Sequence, residues 1–274
     1  MHNRVSPKAL DNSSAEEWQA RVDLAAAHRL AFNQGFSEGI FNHLTYVVPG
    51  RSDRYYQIPF GTHWSEVTAS CFMEVGIDDG EVKRGEGEVE RSCYCIHAPI
   101  HKALPQAKAV FHTHMPYASA LTRLEDPRIK EIGQTEVGLS GAIAYDDEYT
   151  GPALDPAEGA RLARVIGDKR VLFMANHGIS TVGATVADAY DMLYYVERAA
   201  QVPGRDLKVV VRRLLQYSRQ CRRQYSIRQT HLARSFWRTS TQCTRRQKDA
   251  CRMWNRGGNA GCNVGCSAVR CGAR

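Results

Sequence analysis

The charge balance breaks abruptly near residue 200, and the break limits how much of the chain can build a core. Residues 1–200 hold 19 Lys and Arg against 27 Asp and Glu. Residues 201–274 hold 17 basic residues, 15 of them Arg, against only 2 acids. From Ser218 to Arg274 the branched aliphatics are Ile227, Leu232, Val264 and Val269. That supply cannot offset the entropy of ordering so long a segment. The formal charge of +7 over 274 residues therefore averages an acidic region and a strongly basic one. The expected organisation is an N-terminal extension over 1–14, a folded domain over 15–201 and a basic Cys- and Arg-rich tail over 202–274, unstructured or frameshift-like.

Inside the folded part, apolar spacing switches between helical and strand periods. Ser14 to Glu17 fits a capping box, and Trp18, Val22, Ala26 and Leu30 then recur at helical spacing up to a stop at Gly35. Leu44, Tyr46 and Val48 alternate as a strand, and a second strand is predicted over Tyr56 to Ile58. A helix is predicted from Ser92 to Leu104, bent at Pro99, and strands over Lys108 to His114 and Val171 to Met174. Asp155 and Pro156 mark one more helix start, and Thr185 another, which ends at Pro203-Gly204. Strands alternating with helices predict a layered α/β domain around a mixed sheet. No apolar run reaches the length of a membrane span, and Met1 to Asp11 lacks the apolar centre of a signal peptide, so the expected location is cytoplasmic. Gly85-Glu86-Gly87 places acids where a phosphate would need backbone donors, and no nucleotide loop is predicted.

Three histidines carry the chemistry. His112 and His114 alternate along a predicted strand, so both point to one face at its end. His177, in Asn176-His177-Gly178, follows a predicted buried strand, in a turn that can present a side chain. Three converging imidazoles would hold a divalent ion and leave positions open for substrate, the arrangement of catalytic rather than structural sites.

Four segments, Gly35 to Thr45, Pro59 to Val67, Phe111 to Ala118 and Ala175 to Gly178, resemble the class II aldolase/adducin family, and the likeness runs from about Trp18 to Gln201. The resemblance implies a three-layer α/β/α sandwich with a mixed, largely antiparallel sheet, in an adducin-like branch that retains its metal histidines. It implies Zn2+ or another divalent metal on His112, His114 and His177, and an aldehyde-lyase type of activity. The expected substrate is a small hydroxy-carbonyl or sugar-phosphate-like compound, and the expected reaction passes through an enediolate. A dehydratase or epimerase on the same scaffold, or a non-catalytic adducin-like head used for assembly, are the alternatives. Family members are commonly homotetramers.

The family's catalytic glutamate corresponds to Cys93, which is no like-for-like proton shuttle. Glu136 stands at a spacing similar to the dehydratase's acid/base glutamate and is the leading candidate for that role. Asn42, Gly61 and Ser92 match phosphate-pocket positions, while Phe41, Phe60 and Arg91 depart from them. His43, His63, His97 and His101 are expected to be supporting or structural, and Tyr145 to Glu148 a solvated acidic loop. The tail admits three readings: a nucleic-acid-binding arm with Tyr225, Phe236, Trp237 and Trp254 to stack, a metal knuckle of Cys262, Cys266 and Cys271, or a shifted reading frame after Gln201.

Overall fold

The computed structural model describes residues 12–151 and 153–204. All readings of the tail beyond Gly204, and of the first 11 residues, lie outside the described residues. Eight strands form one sheet: β1 (His43–Val47), β2 (Arg54–Gln57), β3 (Met73–Gly76), β4 (Val82–Arg84), β5 (Ala109–Thr113), β6 (Ile143–Asp146), β7 (Val171–Met174) and β8 (Ile179–Gly183). Their order is β4-β3-β2-β1-β5-β8-β7-β6. Only β6 and β7 run parallel; every other neighbouring pair is antiparallel. The mixed, largely antiparallel sheet is thus as expected.

Helices cover both faces. On one side lie α1 (Ala15–Asn33), the short α3 (Pro116–Leu121) and α6 (Val186–Gly204), packed on Leu44, Phe111, Phe173 and Ile179. On the other lie α2 (Arg91–Ala103) and α5 (Pro156–Ile166), packed on Val110, Leu172 and Val182. A further short helix, α4 (Gln134–Gly138), sits beside α6. The close approach of α2 and α5 requires Gly159, where a Cβ would stand 2.1 Å from the Cys95 carbonyl oxygen. Among the described residues no helix is long and apolar enough to cross a membrane.

The helix starts follow local chemistry. Ser14 and Glu17 exchange reciprocal hydrogen bonds of 2.8 and 3.1 Å, and Asp155 accepts from the Ala157 amide at 2.8 Å ahead of Pro156. Glu197 of α6 caps α3 from a distance, accepting from the amides of Tyr117 and Ala118.

Two expectations need correction. The core face of α1 is not the Trp18-Val22-Ala26-Leu30 stripe: Val22 and Leu30 are exposed, and Ala20, Leu24, Ala27 and Ala31 are buried. The alanines let the helix lie close to the sheet, and that closeness outweighs the larger apolar side chains on the other stripe. Tyr145 and Asp146 are not a solvated loop but the end of β6. Asp146 is buried and bound through both carboxylate oxygens by Arg161, so its charge is satisfied inside the protein.

Candidate metal centre

β5 lies at the middle of the sheet between β1 and β8, and its end carries the pair expected from the sequence. His112 sits opposite His43 of β1 and Ser180 of β8, and His114 follows just past the strand. His177 arrives in the tight β7–β8 connection, closed by the Met174 amide on the Gly178 carbonyl at 3.0 Å. Asn176 makes that turn in the left-handed region, φ +57°, which asparagine tolerates better than most residues. Gly178 cannot be replaced there without movement, because a Cβ would stand 2.6 Å from His114 Cδ2.

The three rings converge. Centroid separations are 4.9 Å for His112–His114, 4.8 Å for His112–His177 and 4.9 Å for His114–His177. One potential ligand atom of each lies within 4.8 Å of the others. The tautomers follow from the partners. His112 Nδ1 is 2.9 Å from the Ile179 carbonyl oxygen, which can only accept, so this nitrogen carries the hydrogen. His114 Nδ1 donates to the Glu38 carboxylate at 2.5 Å. The two Nε2 atoms then face each other across 3.1 Å. Two ring nitrogens hold that distance favourably only with a proton or a metal ion between them. Burial, reinforced by the neighbouring rings, pushes His112 well below the ordinary histidine range and His177 down to about 3. Both rings are thus neutral at physiological pH, the protonation state a metal requires.

Glu38 is the site residue that sequence reading missed. Its hydrogen bond to His114 holds its carboxyl below the usual range, and it makes the carboxylate–histidine pair that orients metal ligands. Asn42 ties this pair together: its Oδ1 accepts from the Glu38 amide at 2.7 Å and from the His114 amide at 3.4 Å. The Asn42 Nδ2 is buried without a hydrogen-bond partner and borders a cleft that Gly61 also lines. Asn42 and Gly61 are therefore brought together.

The other expected residues lie elsewhere. Ser92 donates to Glu90 at 2.8 Å and lies 3.2 Å from His43 Nε2. Cys93 is fully buried in the first turn of α2, its thiol pushed well up by desolvation. It groups with His43 and His97 rather than with the trio. Glu136 is buried in α4, its carboxylate folded toward Gly133, with no hydrogen bond or ion pair to the three histidines. Arg91 reaches the Leu154 carbonyl and lies over the Tyr94 ring. His63 accepts from the Ser65 amide at the head of a short turn, and His97 and His101 bind Thr45.

Known proteins resemble this chain in sequence and fold. Residues 22–203 match the model of the Class II Aldolase and Adducin N-terminal domain. A solved aldolase II superfamily protein from Pseudomonas syringae is 35% identical, with a TM-score of 0.66 over 70% of this chain and 77% of that one. An adducin-related protein of Schizosaccharomyces pombe is 36% identical over 194 residues, covering 68% of this chain and 59% of its own length. The L-fuculose 1-phosphate aldolase of Glaciozyma antarctica superposes with a TM-score of 0.63 at 27% identity, over 69% of this chain and 73% of that one. With its sheet, its helical layers and its histidine trio in place, the chain belongs to the class II aldolase/adducin family.

Proposed function

We propose that this protein is a divalent-metal-dependent lyase of the class II aldolase type, acting on a small hydroxy-carbonyl compound, with His112, His114 and His177 as metal ligands. The observation that carries the reading is the convergence of three imidazoles on one point, with the Nε2 atoms of His112 and His114 3.1 Å apart. Zinc fits three imidazole ligands, and a divalent ion there would supply Lewis-acid stabilisation of the negative charge that develops on a carbonyl oxygen and its neighbouring hydroxyl. The chain's own groups do the rest. Glu38 and the Ile179 carbonyl fix the ring tautomers, and Asn42 holds Glu38 and His114 in register. Asn42 Nδ2 and Gln57 Nε2, both buried without partners at the adjoining cleft, offer donors to substrate oxygens.

The cleft favours a substrate without a phosphate. Glu90 borders it, held as a carboxylate with its pKa lowered to about 2 by its bonds to His43, the Cys93 amide and Ser92, which outweigh its desolvation. A phosphate dianion beside that charge would be repelled, and Arg91 is directed toward Leu154 and Tyr94 instead. Glu136 remains the proposed proton carrier if substrate binding or a second subunit turns α4 toward the trio. Ile132 at 66% exposure and Val137 at 55% flank it, and these apolar side chains support the proposal of a homo-oligomer with this segment at a subunit contact.

A second reading, a non-catalytic adducin-like assembly head, is favoured by the likeness to the adducin-related protein. Exchange of the α-hydrogen of unphosphorylated hydroxyketones in deuterium oxide separates the two. The lyase reading expects exchange that needs added zinc and vanishes in the His112→Ala/His114→Ala variant. No exchange over a panel of such compounds, or exchange that persists in the variant, contradicts it.

A further inference from the structure

A second group of donors stands beside the trio, and the proposed reaction does not use it. His43 on β1 and Cys93 and His97 on α2 bring one potential ligand atom each within 4.8 Å of one another. All three are buried, at 5%, 0% and 0% exposure. Cys93 and His97 are four residues apart on a helix and share a face, with the strand carrying His43 beneath.

The surrounding hydrogen bonds dictate what these rings present. His101 Nδ1 is 2.8 Å from the Ala107 carbonyl oxygen, so that nitrogen carries the hydrogen and His101 Nε2 is an acceptor. Thr45 Oγ1 donates its one hydrogen to His101 Nε2 at 2.8 Å, in preference to the Val110 carbonyl at 3.2 Å. The same oxygen must then accept from His97 Nδ1–H at 2.7 Å. His97 Nε2 is left a bare lone pair with no partner. On the other side, His43 Nε2–H points at the Glu90 carboxylate, 3.1 Å away, and His43 Nδ1 is left bare and unpartnered. The Cys93 thiol satisfies neither nitrogen. Two buried acceptors and a thiol thus face one small volume unpaired, where burial without a partner is costly.

We propose that His43, Cys93 and His97 form a second metal site that binds a soft monovalent d10 cation of the copper(I) class. Loading exchanges the thiol proton for the cation, S–H giving S–metal and one released proton, so no net charge is added to the interior. A thiolate with two imidazoles suits that cation. Zinc, by contrast, favours a fourth ligand, and the cluster of described residues supplies three. Metal–nitrogen bonds of about 2.0 Å and a metal–sulfur bond of about 2.3 Å need the donors roughly 3.5–3.7 Å apart, and the potential ligand atoms already lie within 4.8 Å of one another. The proposal does not depend on the lyase reading.

The test uses the full chain and anaerobic copper(I) in competition with a chromophoric copper(I) chelator. Wild type is compared with Cys93→Ser, His97→Gln and His112→Ala/His114→Ala, so that the remaining cysteines give a common background. The tightest equivalent should weaken by about ten-fold or more in Cys93→Ser and in His97→Gln, and be unchanged in the double variant. Should Cys93→Ser not fold, Cys93→Ala and His43→Gln carry the same comparison. Wild-type affinity in the Cys93 and His97 variants, loss of the equivalent in the double variant, or binding of zinc in place of copper(I) at these residues would overturn the proposal.

Discussion

The trio and the second cluster are built from the same kinds of side chain a few ångströms apart, with the His43 and His112 rings 5.3 Å from centroid to centroid. They differ in access. His114 and His177 are half-buried at the end of the sheet, and Glu38 behind His114 keeps 63% of its side chain exposed. His43, Cys93 and His97 are buried between α2 and the sheet, with only His43 bordering the cleft among the three. A metal site that performs chemistry must keep a position for substrate, whereas a closed set can only hold its ion. On the lyase reading the contrast favours the trio over Cys93 as the reacting centre, because a thiol desolvated by burial is poorly placed to shuttle protons or meet substrate.

Four perturbations, in order of decreasing effect, test this contrast. The first is His112→Ala/His114→Ala, which should abolish metal binding at the trio and lower lyase turnover on the order of 10³-fold or more, measured by the exchange reaction. The second is acid. His28 and His101 are buried neutral with pKa values lowered to about 4, and His177 to about 3. The unfolded chain takes up these protons near pH 6.5 and the native state does not. Stability is therefore full above about pH 6.5 and falls as the pH drops toward 4, by several kcal/mol in total. Thermal melts of metal-free protein should follow that slope, and a flat melting temperature over this window would contradict the buried neutral histidines.

Third, Thr45→Val removes the hydroxyl that links His97 and His101. It should cost about 1–3 kcal/mol in chemical denaturation and leave zinc affinity at the trio unaltered, since the two clusters are wired separately. Equal damage to both would show that they act as one unit. Fourth, Glu38→Gln keeps the shape but weakens the charge behind His114. Zinc affinity should fall by roughly 10- to 100-fold in competition titrations, with little change in stability because Glu38 is exposed.

The parts of the molecule legible in the sequence are those set by local rules. The alternation of His112 and His114, the capping residues Ser14 and Asp155 and the apolar run of β7 each needed only neighbouring residues. The Asn-His-Gly turn was legible for the same reason. Short strands were not: β3, β4 and β6 have three or four residues each, too few for a period to stand out, and they form because β2, β3 and β7 respectively offer them edges. Glu38 stands in a segment noted for its family likeness, yet its pairing with His114 joins residues 76 apart and has no local signature. The tautomer chain through Thr45 is hidden likewise, since residues from β1, α2 and β5 meet only after the sheet forms.

The central claim is that the trio holds a metal, and an anomalous difference map at the zinc absorption edge tests it most directly. In crystals of the full chain grown with stoichiometric zinc, a peak should lie between His112 Nε2, His114 Nε2 and the ring of His177. A map with zinc elsewhere in the crystal and none between these three rings would contradict the account.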